Sequence, residues 1–244
     1  MRVAFIHFPK TGGTTLHNFL LKAFTKKKVC PERFNNFDRF SDNDLQQYDF
    51  FSGHMDFRNL RRVASPAYTI TVLREPKDRI LSLYYFWRAH SNAVIEKNNL
   101  AGPRVAKQLS LLEFLNCETG GIPASINNFY TRWLLGMTIT GPNGRLAIDD
   151  EQALRVAMHN LLTIDEVGFL DQMPDFIRKV GKRLALEIPE EIPKERSAEN
   201  FGKDLNTEHV VREKITPEID SRLNELVRVD QRLYDSARRL LAVG

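Results

Sequence analysis

Residues 5–16 read FIHFPKTGGTTL, an apolar run that stops at a proline and passes through lysine, threonine and two glycines into a second apolar pattern. Arg2 to Phe8 carries Val3, Phe5, Ile6 and Phe8, a run of strand length that a buried parallel sheet accepts. Pro9 ends it. Gly12 and Gly13 let the backbone turn tightly and bring its N–H groups close to a ligand. Beyond Thr14, the residues Leu16, Phe19, Leu20 and Ala23 recur at helical spacing, so the glycine turn opens a helix. Free N–H donors and the helix dipole at such a terminus favour an anion, and Lys10 adds a full positive charge at the mouth. The stretch reads as a phosphate cradle, with a plain strand-turn-helix corner as the alternative. Its lysine precedes the glycines, whereas the nucleoside-triphosphate loop G-x-x-x-x-G-K-[ST] places lysine after them. A nucleotide or sugar kinase fits that order poorly.

Two further strand ends point to the same crevice. Tyr48 to Ser52 is a short apolar run that ends at Ser52-Gly53-His54. Ligands of an α/β sheet sit outside the carboxyl ends of its strands, so His54 faces the first loop, and a histidine titrating near neutrality can take a proton from a hydroxyl. Its alternative role is to cap the strand through a backbone hydrogen bond, in which case Asp56 becomes the next candidate base. The third stretch, Tyr68 to Trp87, is YTITVLREPKDRILSLYYFW. A β-branched strand from Thr69 to Leu73 ends at Arg74. Pro76 suits the first turn of a helix whose Leu81, Tyr84, Tyr85 and Trp87 form an apolar surface. Arg74 can grip a phosphate with two hydrogen bonds, and Ser82 can offer a hydroxyl. A structural alternative pairs Arg74 with Glu75 or Asp78.

The PKTGGTT turn, followed by an arginine ending a strand and a serine eight residues later, resembles the sulfotransferases that use 3'-phosphoadenylyl sulfate (PAPS). The likeness is strongest to the branch of carbohydrate sulfotransferases of the heparan sulfate 2-O type, runs from Phe5 to about Leu170, and includes the segment Asn127–Gly136, NNFYTRWLLG. It implies a P-loop-type three-layer α/β domain with a central, mainly parallel sheet flanked by helices. It also implies that Lys10, Thr11, Gly12, Gly13, Thr14 and Thr15 hold the 5'-phosphosulfate, that Arg74 and Ser82 hold the 3'-phosphate, and that Lys10 and His54 are catalytic. By the same resemblance, a later loop supplies the last nucleotide contacts, with Arg196, Ser197, Asn200 and Lys203 as candidates. The implied reaction moves a sulfuryl group from PAPS to an acceptor hydroxyl, with a carbohydrate as the favoured acceptor, and leaves 3'-phosphoadenosine 5'-phosphate (PAP). A non-catalytic nucleotide-binding module is the remaining rival.

Composition is compatible with this. The 244 residues suit one sulfotransferase domain, 1–244, and 42% hydrophobic content is ordinary for a globular chain. A net charge of +4 and a pI near 9.1 favour an anionic ligand without requiring nucleic acid. The largest basic cluster, Lys26 to Lys28, reads as a solvated loop. Cys30 and Cys117 lack metal-ligand spacing and read as free thiols, so no metal is expected. No apolar run approaches the ~20 residues of a membrane span, and the phosphate loop lies too near Met1 for a signal peptide. The expectation is therefore a cytoplasmic enzyme related to bacterial members of that branch, whereas animal carbohydrate sulfotransferases are anchored Golgi proteins.

Further along, one helix is expected from Val105 to Asn116 after a loop at Asn98 to Pro103. Another is expected over Asp149 to Leu162, followed by a buried strand at Val167 to Leu170 and its helix from Met173 to Leu186. Ile188 to Asp204 reads as a loop. A single long final helix begins near Thr216-Pro217, with Arg222, Asn224, Glu225, Arg228 and Arg232 on its solvent side.

Overall fold

Strict alternation along the first strand, β1 (Val3–Ile6), sends Val3 and Phe5 to one side of the sheet and Ala4 and Ile6 to the other, all of them buried. A strand apolar on both faces needs cover on both faces. The computed structural model describes residues 1–63, 67–119, 121–136, 146–191 and 206–241, and within them the cover is helical. Strands β2 (Phe50–Gly53), β3 (Tyr68–Leu73) and β4 (Glu166–Phe169) complete a sheet in the order β2-β1-β3-β4, parallel throughout. This is a three-layer α/β fold of the P-loop type.

One face of the sheet is covered by α1 (Gly13–Leu21) through Leu16, Phe19 and Leu20. The helix that follows β4, α11 (Met173–Leu184), adds Met173, Phe176, Ile177 and Val180. After α1 come α2 (Asp42–Gln46), α3 (Phe57–Val63), α4 (Pro76–Arg88), α5 (Asn92–Lys97), α6 (Ala101–Gln108), α7 (Leu111–Leu115), α8 (Ile122–Ile126) and α9 (Phe129–Leu134). Then follow α10 (Asp150–Leu162), α11 (Met173–Leu184), α12 (Pro217–Leu226) and α13 (Arg228–Leu241). The second face of the sheet packs on α3, α9, α10 and α13, with Phe8, Leu60, Tyr130, Leu161 and Leu233 in the core. A third apolar cluster joins α4, α6, α7, α8 and α12 beside the sheet.

Five expectations are corrected. The first helix stops at Leu21, leaving Ala23 exposed outside it. The buried face of α4 is Ile80, Leu83, Tyr84 and Tyr85, while Leu81 and Trp87 are only half-buried. Val105 to Asn116 is two helices, because Ser110 accepts from Glu113 N while the Glu113 carboxylate accepts from Ser110 N, a capping box that starts α7 afresh. The preceding Ala101-Gly102-Pro103 is the first turn of α6 and not a loop. The final helix is likewise two, broken at Val227.

That last break has a partner 100 residues away. Asn128, in a left-handed conformation at the start of α9, accepts hydrogen bonds from Val229 N (2.9 Å) and Asp230 N (3.2 Å). Asp230 returns the favour to α9, accepting from Tyr130 N (2.9 Å), Thr131 N (2.8 Å) and the Thr131 hydroxyl (2.7 Å). Each helix thus caps the other, satisfying N–H groups that neither could satisfy alone. The aromatic residues of Asn127–Gly136 are core, as Phe129, Tyr130 and Trp133 pack against Phe8.

Lys26–Lys28 forms an exposed 3-10 turn, and both cysteines are free thiols, Cys30 buried and Cys117 half-buried. Among the described residues no helix is long and apolar enough to cross a membrane. Arg196, Ser197, Asn200 and Lys203 lie outside the described residues.

Candidate active site

Parallel register aligns three strand ends at one edge. Ile6 pairs with Gly53 on one side and Thr71 on the other, and His7 N extends the ladder by donating to Gly53 O at 2.9 Å. The residues just beyond, 7–12, 54 and 74, therefore emerge together. The chain leaves β1 toward β2 on one flank and runs on from β3 to β4 on the other, so this is the crevice where open α/β sheets hold ligands.

The turn itself is wound by two left-handed residues, Lys10 (φ 70°) and Gly12 (φ 77°). Lys10 in that region costs about 1–2 kcal/mol, which the surrounding turn must offset. One compensation is the Thr11 hydroxyl, fully buried and donating to Phe8 O at 2.8 Å. That hydroxyl is committed to closing the turn, so Thr11 can offer a ligand only its backbone. A Cβ at Gly12 would lie 2.6 Å from Leu170 Cδ1, and one at Gly13 would lie 1.9 Å from the His7 ring. Both positions require glycine. Gly12 caps α1 without a side-chain hydrogen bond, so the first-turn N–H groups of α1, including those of Thr14 and Thr15, keep the anion-binding character of a helix N-terminus.

Lys10 and Arg74 meet across the crevice. Arg74 Nη1 donates to Lys10 O at 3.3 Å. The backbone of Arg74 is clamped by Tyr130, whose hydroxyl accepts from Arg74 N (3.0 Å) and donates to Arg74 O (2.9 Å). Burial draws the Arg74 guanidinium below its usual range; Asp78 and Tyr130 oppose this, and the positive charge of Arg212 adds to it. Arg74 makes no ion pair with Glu75 or Asp78, whose nearest role is the α4 cap: Glu75 accepts from Asp78 N at 2.7 Å. The Lys10 ammonium sits 3.8 Å from the centroid of the Phe86 ring. Phe86 lies one helical turn beyond Ser82 on α4, so Ser82 shares the face turned toward Lys10.

His54 follows β2. Its Nδ1 is 2.5 Å from the His7 carbonyl oxygen. A carbonyl only accepts, so Nδ1 carries the proton and donates, and Nε2 is left with the lone pair. Burial lowers the His54 pKa; the His7 carbonyl opposes that, and the charge of Arg33 reinforces it. The imidazole is neutral at neutral pH. The backbone hydrogen bond considered as an alternative to a catalytic role is thus present, and it fixes the tautomer a base requires. Asp56 has a different occupation: its Oδ1 accepts from Asn59 N at 2.9 Å and its main chain starts α3. Its Oδ2 is buried without a hydrogen-bond partner.

Several neighbours of the site carry no sequence signal. Arg33 donates from Nη1 to the His17 ring, and its backbone oxygen accepts from His54 N at 2.8 Å. His17 Nδ1 lies 2.8 Å from the Ser52 hydroxyl. Because a guanidinium only donates, His17 accepts on Nε2 and donates from Nδ1 to Ser52. Burial first, and Arg33 second, lower the His17 pKa to about 4. Arg79 is fully buried, stacked 4.3 Å from the Phe129 centroid, with Nη2 donating to Ser125 O at 2.8 Å. These contacts join residues far apart in the chain, which no local pattern announces.

A model of the sulfotransferase family matches residues 1–235. The chain belongs to the sulfotransferase family. A comparison with curated proteins finds no match. Family membership over nearly the whole length makes this sulfotransferase an enzyme of sulfuryl transfer to a hydroxyl-bearing acceptor. Among the described residues no group of three or more His, Cys, Asp or Glu side chains is arranged to hold a metal ion.

Proposed function

We propose that this sulfotransferase takes its sulfuryl group from PAPS and passes it to a ring hydroxyl of a carbohydrate, with His54 as the base. The observation that carries the proposal is the convergence of Lys10, Arg74 and the α1 N-terminus on one crevice, bordered by a His54 whose Nε2 holds the lone pair. Bound PAPS would supply an activated sulfuryl group and a phosphate leaving group. Lys10, Gly12, Gly13, Thr14 and Thr15 are the residues to hold its 5' end, Thr11 through its backbone alone. Arg74 and Ser82 are the residues to hold the 3'-phosphate, and the nearby charge of Arg212 favours the same anion.

Each residue has a physical task. His54 Nε2 accepts the proton of the acceptor hydroxyl as it attacks. The Lys10 ammonium and the loop N–H groups stabilise charge that grows on the departing oxygen. Arg74, fixed at its backbone by Tyr130, distinguishes a 3'-phosphorylated nucleotide from an ordinary one. The acceptor class and kinship with the bacterial 2-O-type branch rest on the resemblance of the motifs. The same proposal takes residues 1–244 as one domain acting in the cytoplasm, without a nucleic-acid partner.

The test is calorimetric titration with PAP, adenosine 5'-phosphate and ATP, together with PAP release from PAPS in the presence of a glycan extract. PAP is expected to bind most tightly, and Arg74→Ala to weaken PAP by about 1.5–3 kcal/mol while sparing adenosine 5'-phosphate. Tighter binding of ATP than of PAP would overturn the donor assignment and revive the kinase reading, and PAP binding without release of product would favour a non-catalytic module.

A further inference from the structure

We propose that Phe34 is the platform on which the acceptor ring rests while its hydroxyl meets His54. Among the described residues the large exposed apolar side chains are Met1, Phe34, Leu162, Val211, Ile215 and Leu240. Phe34 is the aromatic one, it is 61% exposed, and it stands at the site. Its ring centroid is 6.0 Å from that of His54, the planes inclined by 52°. His54 lies 4.6 Å from His7, and His7 stacks on Phe5 at 5.4 Å. A file of four rings thus runs from the core through the base to solvent, and Phe34 is its outer member.

The exposure is built, because the backbone beneath Phe34 is held on both sides. Phe34 N donates to the carboxylate of the buried Glu32 at 2.7 Å, and Arg39 lies 3.5 Å from the other oxygen of that carboxylate. One residue earlier, Arg33 O accepts from His54 N at 2.8 Å. The main chain of Arg33 lies so close to β2 that a Cβ at Gly53 would come within 2.6 Å of that oxygen. Phe37, three residues on, is fully buried. The fold therefore presents an aromatic face to water at a fixed place beside a base, where burial would have stabilised the protein more.

The matching chemistry is a hydroxyl carried on a saturated ring with an apolar C–H face, as in a pyranose. Such a ring covers the Phe34 face with its C–H bonds and directs hydroxyls outward at its edge. A ring resting on Phe34 stands beside His54, whose ring centroid is 6.0 Å away, and transfer needs one of its edge hydroxyls to come within about 2.6–3.2 Å of Nε2. An acyclic polyol offers the hydroxyl without the face, so Phe34 would not discriminate in its favour.

This inference rests on the assignment of His54 and of PAPS as donor, and its test separates the two. PAP affinity is measured first by calorimetry. Transfer from labelled PAPS is then followed for the parent, Phe34→Ala and Phe34→Tyr, with methyl pyranosides, sorbitol and 4-nitrophenol as acceptors. For the pyranosides, Phe34→Ala should raise KM about three- to tenfold, as the loss of an aromatic contact does, with kcat nearly unchanged. Phe34→Tyr should keep the parent KM, sorbitol should respond to neither variant, and PAP affinity should be the same in all three proteins. An unchanged pyranoside KM, an equal rise for sorbitol, a larger loss for 4-nitrophenol than for the pyranosides, or a PAP-binding parent that sulfates no pyranoside would each overturn the platform. A parent that does not bind PAP would instead bring down the donor assignment and, with it, the basis of this inference.

Discussion

Removing a single oxygen from Tyr130 tests how Arg74, the proposed reader of the 3'-phosphate, is held. In Tyr130→Phe the ring stays in the core, where Tyr130 is fully buried, while both hydrogen bonds to the Arg74 backbone, at 3.0 Å and 2.9 Å, disappear. A neutral hydrogen bond contributes about 0.5–1.5 kcal/mol net, so the pair should cost about 2 kcal/mol of stability. For a chain of this size that corresponds to a fall in Tm of roughly 4–8 °C. Arg74 keeps its charge and its side chain, and loses only the part of its contact that depends on placement. We predict that the Kd for PAP rises about five- to tenfold, equivalent to ~1 kcal/mol. The Kd for adenosine 5'-phosphate should change less than about twofold, since that ligand lacks the group Arg74 would reach. Thermal melts and paired calorimetric titrations measure all three quantities. Equal weakening of both nucleotides, or a lowered Tm with PAP affinity intact, would refute the view that Tyr130 acts through Arg74.

Three other outcomes are expected. Lys10→Ala should slow transfer by more than it weakens PAP, because in the proposed role its largest interaction is with charge developing in the transition state; unchanged turnover with collapsed affinity would make it a ground-state anchor. His54→Ala and His54→Gln should bind PAP like the parent and lose turnover by about a hundred- to ten-thousandfold. The parent's rate should fall as pH drops through a pKa below the ordinary histidine value, and an active His54→Gln enzyme with that acid limb would remove the base assignment. His17 concerns stability: its pKa is about 4 in the folded protein against 6.5 ordinarily. The unfolded chain therefore takes up a proton that the folded one refuses, stability is full above pH 6.5, and it declines as pH falls toward 4. Denaturation curves across that window should lose roughly 1–3 kcal/mol, with His54 contributing in the same direction, and His17→Gln should flatten them; parallel slopes for parent and variant would show that His17 is not responsible.

The sheet and the glycine turn after its first strand were legible because their signals are local. Pro9, Gly12 and Gly13 mark the turn within a few residues of the strand they end, and Arg74 and Pro76 do the same for the next strand and helix. The break at Leu109-Ser110 was marked locally, by the Ser110-x-x-Glu113 box, but the apolar pattern running through it reads as one helix. The break at Val227 was not, since its cause is Asn128, distant in the chain and adjacent only after folding. Arg33, His17, Phe34 and Tyr130 escape for the same reason: each has an unremarkable local setting and takes its role from a partner supplied by another element. His54 was read with two alternative roles, and the structure gives it the backbone bond of one in the tautomer needed by the other.

The reciprocal caps between Asn128 and Asp230 also bear on when a nascent chain becomes competent. The N-terminal glycine turn and Arg74 are synthesised early, yet Tyr130 sits on a helix whose first turn stays uncapped until Asp230 arrives 100 residues later. At about 5–20 residues per second that interval lasts roughly 5–20 s. During it the growing polypeptide holds the proposed donor site with an unfinished clamp. Donor binding by ribosome-bound intermediates should therefore switch on late, with emergence of the last helix, rather than increase steadily as the sheet is completed.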